Sequence, residues 1–155
     1  MSKRIPLTKG KTAIVDGKYY RRLRQHSWCY QSPGYAASRI NGQLVLMHRL
    51  VMGLATGRTP LQVDHRNRDR LDNRRRNLRE AGQSDNLMNA GRRSDNSSGY
   101  RGVFWHSGGR KWMAQLKYKG RTYYLGLFAS KVEAARVYDR KAAEVAGDFA
   151  NLNAA

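Results

Sequence analysis

An aspartate followed directly by a histidine, Asp64-His65, stands about twenty residues before Ser84-Asp85-Asn86. Between them lie Asn67, Asn73 and Asn77, together with Arg66, Arg68, Arg70, Arg74, Arg75 and Arg76. An adjacent carboxylate and imidazole can divide the work of metal-assisted hydrolysis. The carboxylate holds a hard cation such as magnesium, and the imidazole takes a proton from the attacking water. Successive strand residues point to opposite faces, so such a pair converges only at a strand end or a distortion. The polar run RNRDRLDN after His65 supplies that break. The arginines crowd one loop. Pairing with Asp69 and Asp72 accounts for some of them, and phosphate contact suits most, since bases outnumber acids there.

The elements that must carry these residues are short. Thr12 to Val15 is an apolar run closed by Asp16-Gly17, a turn dipeptide. Tyr19 to Trp28 reads as a short helix. Gly34 to Ile40 reads as a strand turned by Asn41-Gly42 into Gln43 to Met47. Trp28, Tyr30 and Tyr35 either fill a thin core or stack on bases. His48 opens a helical stretch, Arg49 to Met52, and a lone histidine at an element boundary is more often structural than catalytic. Thr59-Pro60-Leu61-Gln62 leads into a strand at Val63, and Asn77-Leu78-Arg79 forms its partner. Ser84 suits the N-cap of the helix that carries Asn86.

Composition bounds the function. The chain has 155 residues, enough for one domain or two small ones, and 40% of them are hydrophobic. A mean hydropathy of −0.78 argues against a large core. Thirty Lys and Arg against 11 Asp and Glu give a formal net charge of +19. Divided near Gly53 and Ser98, each third carries ten basic residues, against one, six and four acids. A positive charge spread so evenly reads as an extended polyanion-binding surface, such as nucleic-acid-binding proteins and ribosomal proteins present. A lone cysteine, Cys29, excludes an intramolecular disulfide and a cysteine zinc cluster. No apolar run approaches the roughly 18 residues of a membrane span. The N-terminal MSKRIPLTKGK has no signal-peptide core, so a soluble intracellular protein is expected.

After a small, polar and basic stretch at 91–98, which reads as a linker, the character changes. Tyr100 to Trp105, Lys111 to Lys117 and Arg121 to Leu125 are strand-like runs joined by glycine-bearing turns, which predicts an antiparallel three-stranded sheet. In the middle run Trp112, Ala114 and Leu116 share one face, and Lys111, Met113, Gln115 and Lys117 share the other. A helix follows, with Ser130 and Glu133 as a capping box and Gly147 at its end. Its apolar stripe is Ala134, Ala135, Tyr138, Ala142, Val145 and Ala146. A sheet covered on one face leaves the basic face free to enter a major groove.

Two resemblances gather these features. Residues 44 to 90 resemble the HNH endonucleases, the ββα-metal nucleases, and in particular the phage homing branch. His48-Arg49-Leu50-Val51, Val63-Asp64-His65, Asn73 to Asn77-Leu78 and Ser84-Asp85-Asn86 carry the likeness, in order and at compatible spacing. Ile5-Pro6-Leu7-Thr8 matches a segment that often precedes the motif in such proteins. The resemblance implies one divalent ion, Mg2+ or Mn2+, on Asp64 and Asn86. It also implies His65 as general base and Asn77 as a structural member of the catalytic set, bracing the loop that orients His65.

Residues 98 to 153 resemble the Apetala/ethylene-response-factor DNA-binding domain. The matching residues are Tyr100-Arg101-Gly102-Val103, Lys111-Trp112-x-Ala114, Tyr124-Leu125-Gly126, Glu133-Ala134-Ala135, Tyr138-Asp139 and Asn151-Leu152-Asn153. This likeness implies DNA contact through Arg101, Lys117 and Tyr124, with Lys111 and Arg121 as further basic candidates of the same strands. The sequence departs from the family at Phe104 and His106, where plant members carry arginine, and at Gln115, usually glutamate.

The expected fold is therefore α+β. An N-terminal ββα-metal (HNH) nuclease unit over 1–90, with a β-rich extension, is followed by the linker at 91–98. A small three-stranded antiparallel sheet packed on one helix completes the chain over 99–155. The expected activity is metal-dependent DNA hydrolysis of a nicking, homing type. Its DNA contacts include Arg66, Arg68, Arg74, Arg75 and Arg76. Double-stranded DNA is the expected partner, without a membrane or small-molecule cofactor, for a monomer or weak dimer in the cytoplasm of a bacterial or phage-infected cell. The competing readings are a DNA-binding regulator with a degenerate nuclease core, and an RNA-binding or ribosomal protein.

Overall fold

In the computed structural model, which describes residues 1–54 and 61–153, the chain is mixed α+β and divides into two compact units, Met1–Gly82 and Gln83–Ala155. The expected lead-in Thr59-Pro60 lies outside the described residues. Among the described residues, no helix is long and apolar enough to cross a membrane.

The first unit is built from short antiparallel pairs. Strand β1 (Ser2–Pro6) pairs with β2 (Thr12–Asp16), and alternation along β2 buries Ala13 and Val15. Helix α1 (Gly17–Leu23) ends five residues earlier than the expected Tyr19 to Trp28. The reason is local. The Leu23 carbonyl accepts from the His26 amide and from the Trp28 indole N–H at 2.8 Å, which turns the chain and buries Trp28 in the core. Strands β3 (Cys29–Gln31), β4 (Tyr35–Ile40) and β5 (Gln43–Leu46) form an antiparallel sheet in that order. Asn41 and Gly42, with φ of 50° and 77°, make the tight β4–β5 turn that the Asn-Gly dipeptide predicts. Helix α2 (Met47–Val51) follows directly, with His48 inside its first turn. Strands β6 (Gln62–His65) and β7 (Leu78–Ala81) pair antiparallel, joined by a loop that closes in a 3-10 turn at Arg75–Asn77. Leu23, Trp28, Met47, Leu50, Val63 and Leu78 belong to one hydrophobic core.

Helix α3 (Gln83–Asn89) opens the second unit. It begins before Ser84, so that residue sits in the first turn and not at the N-cap. The division by compactness falls before the sequence-based boundary at residue 90, because Met88 packs with Leu116, Tyr118 and Tyr138. The stretch expected as a linker is partly structured. Ser98 is buried, and its hydroxyl bonds the Tyr100 carbonyl and the Asn96 side chain.

Strands β8 (Val103–His106), β9 (Lys111–Tyr118) and β10 (Arg121–Phe128) form an antiparallel sheet in the order β10-β9-β8. Helix α4 (Lys131–Ala146) is capped by Ser130, whose hydroxyl accepts the Val132 amide. Ala134, Ala135, Tyr138, Ala142 and Ala146 are its buried stripe, set against Val103, Ala114 and Leu116 of the sheet. Small alanines let helix and sheet approach closely. Gly102 marks the tightest point: with φ of 67°, a Cβ there would collide with the Tyr138 ring and lie 2.6 Å from the Gln115 carbonyl. Asn153 ties the end of the chain down, bonding the Asp139 carboxylate and the Arg101 backbone.

Candidate functional site

His65 is the last residue of β6, and the chain turns at once, with the Arg68 amide donating to the His65 carbonyl at 2.9 Å. Asp64 and His65 are both buried, although one is a carboxylate and the other an imidazole. Each therefore requires a partner. The β6–β7 register sets Asp64 opposite Arg79, whose Nε and Nη2 both lie 2.8 Å from Asp64 Oδ2. His65 hydrogen-bonds the Asn73 side chain, and its ring packs on His48, edge to face at 5.1 Å between centroids, and on Tyr35 at 6.1 Å. Tyr35 closes the triangle at 5.0 Å from His48, and the Arg70 guanidinium lies 4.9 Å above the Tyr35 ring.

This environment sets the protonation of both histidines. Burial pushes His48 down to about 3, with the neighbouring charges of His65 and Arg49 acting in the same direction. His65 is also lowered by burial, against the opposing pull of the Asn73 side chain and of Asp64, Asp69 and Asp72. A histidine held below its ordinary value is neutral at neutral pH, the form that accepts a proton.

The loop from Arg66 to Asn77 is organised by side chains bonding to backbone. Asn77 Oδ1 accepts the Asn67 amide at 3.0 Å, and Asn77 Nδ2 donates to the Asp72 carbonyl at 2.8 Å. The Arg66 amide donates to the Asn77 carbonyl, which pins the loop where it leaves His65. Asp69 Oδ1 accepts the Leu71 amide, and the Ile14 and Asn73 amides tie the loop to β2. Asp16 accepts the Arg75 amide at 2.7 Å.

The sequence-derived candidates thus separate by environment. Arg74 grips Asp72 with two bonds, at 2.7 and 2.6 Å, and holds that carboxyl below the usual range, so it is chiefly an ion-pair residue in this structure. Arg66, Arg68, Arg75 and Arg76 are exposed. Asn86 is half-buried on α3 of the second unit, whereas Asp64 belongs to the first. In the second unit Lys111, Lys117, Arg121 and Tyr124 are exposed on β9 and β10. Arg101 folds back: its guanidinium donates to the Ala90 and Leu87 carbonyls at the end of α3.

Arg79 and Tyr35 escaped sequence reasoning as site residues. Arg79 becomes visible once the β6–β7 register is known, because Asp64 and Arg79 then share a face. Tyr35, whose sequence context points to core filling or base stacking, sits against the two histidines. Trp28 is core.

Among the described residues, no group of three or more His, Cys, Asp or Glu is arranged to hold a metal. In the first unit the Asp64 carboxylate is a hard oxygen donor of the kind that magnesium or manganese takes. Arg79 already takes one oxygen of that carboxylate.

Residues 45–88 match the family model for HNH endonuclease. A protein of Acanthamoeba polyphaga mimivirus, named Uncharacterized HNH endonuclease L560, is 28% identical over 148 residues, covering 94% of this chain and 76% of that protein. No match was found among solved structures. The matched segment contains β6, the asparagine-braced loop and β7, together with His48 and Asn86. The likeness to an HNH endonuclease domain lies at residues 45–88, and the two matches support a nuclease enzyme.

Proposed function

We propose that the chain is a divalent-metal-dependent DNA endonuclease of the nicking, homing type, guided to its substrate by the second unit. The observation that carries this reading is His65. It is buried at the end of β6, kept neutral and packed on two rings, next in sequence to a carboxylate and inside the matched segment. In this reading His65 takes a proton from water, and the hydroxide attacks the phosphorus in line. The P–O3′ bond breaks and the departing O3′ takes a proton from solvent water, leaving 5′-phosphate and 3′-hydroxyl ends. Asp64 and Asn86 would hold Mg2+ or Mn2+. Such an ion polarises the phosphate and offsets charge on the departing oxygen. Asn77 holds the loop that leaves His65. Exposed Arg66, Arg68, Arg75 and Arg76 supply phosphate contacts, with Arg74 contributing after release from Asp72. One metal site per chain suits cleavage of a single strand.

The second unit supports targeting through a three-stranded sheet with an exposed basic face and the residues that resemble the Apetala/ethylene-response-factor domain. The domain limits that go with this reading are 1–90 for the nuclease and 99–155 for the DNA-binding part.

A supercoiled-plasmid assay with and without Mg2+ tests the proposal. Open circles that require the metal and vanish in His65→Ala are expected. Cleavage by His65→Ala at the parent rate would remove the assigned base. Metal-independent cleavage would remove the metal, and linear product without open circles would remove the nicking mode.

A further inference from the structure

The exposed face of the second unit's sheet has an order that its basic character alone does not require. Residues directly opposite one another on antiparallel strands share a face, so the register defines rows across it. Phe104, Met113 and Leu127 form one row over the three strands, and Gln115 and Tyr124 form the next. Lys111 lies beyond one end, opposite His106, and Lys117 beyond the other, opposite Thr122. Phe104 is 47% exposed and Tyr124 61%, unusual for large rings in a unit with its own hydrophobic core on the opposite face.

The charge and dimensions of the face identify its occupant. None of these nine residues is acidic, and over residues 83–155 twelve lysines and arginines outnumber six acids. Three strands span about 10 Å from first to last, within the roughly 12 Å width of a B-DNA major groove. Lys111 and Lys117 stand about 20 Å apart along β9, a span of roughly six base pairs.

The centre of the face is equally informative, because the register places no arginine in these two rows, although Arg92, Arg93 and Arg101 line the cavity beside Phe104 and Gln115. Arginine is the residue that reads guanine through two hydrogen bonds, but Arg101 is folded onto α3 and Arg121 lies opposite Tyr118, in the row that packs towards the helix. The centre instead offers the Phe104–Met113–Leu127 row, which matches the thymine C5 methyl, and the Gln115 amide, which matches adenine N6 and N7. Both features select the same base pair.

On the reading that this unit binds duplex DNA, we infer that its sheet face prefers A·T base pairs in the major groove, with Phe104 and Met113 packing on thymine methyls and Gln115 bonding adenine.

The test uses the full chain in EDTA, which prevents cleavage, and fluorescence anisotropy at one fixed salt concentration. Three duplexes differ only in a six-base-pair core: alternating A·T, the same core with deoxyuridine for thymidine, and G·C. Deoxyuridine deletes the methyl and leaves the hydrogen-bonding edge intact. Tightest binding to the thymine core is expected, and the uracil core should bind about four-fold more weakly for each packed methyl it lacks. Phe104→Ala and Met113→Ala should erase the thymine–uracil difference, and Gln115→Ala should reduce the preference over G·C. Equal affinity of the parent for thymine and uracil cores overturns the inference while duplex binding stands. So does an equal weakening on all three duplexes in Phe104→Ala, which indicates a wedge instead of methyl reading. If Lys111→Ala with Lys117→Ala leaves every affinity unchanged, the face does not touch DNA, and the targeting role of the second unit fails with it.

Discussion

His48 shows how a buried residue shapes its neighbour's chemistry. It resembles a structural histidine from the sequence, and its burial fits, yet the atoms it covers are those of the His65 ring. Its value falls to about 3 in the folded chain, against about 6.5 when unfolded, so on acidification the unfolded state takes the proton first. The stability tied to keeping it neutral is complete above pH 6.5 and is lost as pH falls towards 3, at about 1.4 kcal/mol per pH unit. His65 is shifted in the same direction and adds to the slope. Urea midpoints at pH 7, 5.5 and 4.5 should therefore fall steadily in the parent and less steeply in His48→Gln; parallel slopes would refute the assignment. Arg79 makes a second point at this scale. Removing one member of a buried ion pair costs about 3 kcal/mol, because the buried Asp64 carboxylate loses its guanidinium partner. Arg79→Ala should melt earlier than the parent in EDTA and regain stability when Mn2+ is added. If Asp64 holds the metal as proposed, the variant should also bind Mn2+ several-fold more tightly by calorimetry, since the cation would no longer share the Asp64 carboxylate with Arg79. Weaker Mn2+ binding would mean that Arg79 orients Asp64 for the metal instead of competing with it.

Among the elements, the most exacting contact is the crossing of α4 over the sheet. Ala134, Ala135 and Ala142 bring the helix close, and Gly102 has no room for a methyl beneath Tyr138. Gly102→Ala adds a left-handed backbone penalty to that collision, together at least about 2 kcal/mol. Thermal unfolding should show this as a lowered transition, and an unchanged one would mean that Tyr138 moves freely. The β6–β7 pair is a different kind of element, too short to set its own geometry. Its loop is fixed by Asn67, Asp72 and Asn77 bonding to backbone groups and to one another, so the asparagine-rich composition between His65 and Leu78 is a record of loop architecture.

At the scale of the whole molecule, the net charge of +19 dominates encounter with nucleic acid. Binding to a non-cognate duplex should weaken steeply with salt: log K should fall linearly with log salt, with a slope of about −0.9 for each phosphate contacted. Replacing exposed Arg66 and Arg68 together with alanine should lower that slope by about two; an unchanged slope would place the phosphate contacts elsewhere.

The sequence by itself determined the composition-level and local features. Charge, the Asp64-His65 pair, the Asn41-Gly42 turn, the Ser130 cap and the α4 stripe are all set by neighbouring residues, so short-range rules suffice to read them. Helix ends were less legible. Trp28 ends α1 by bonding Leu23 from outside the helix, and the packing of Met88 draws α3 into the second unit. What only the tertiary structure decided were the partnerships between strands and across the core: Arg79 on Asp64, Tyr35 and His48 on His65, Arg74 locked to Asp72, and Arg101 turned away from the sheet face. Strand register and ring packing depend on how distant segments meet, and residue types and spacing along one chain do not encode that meeting.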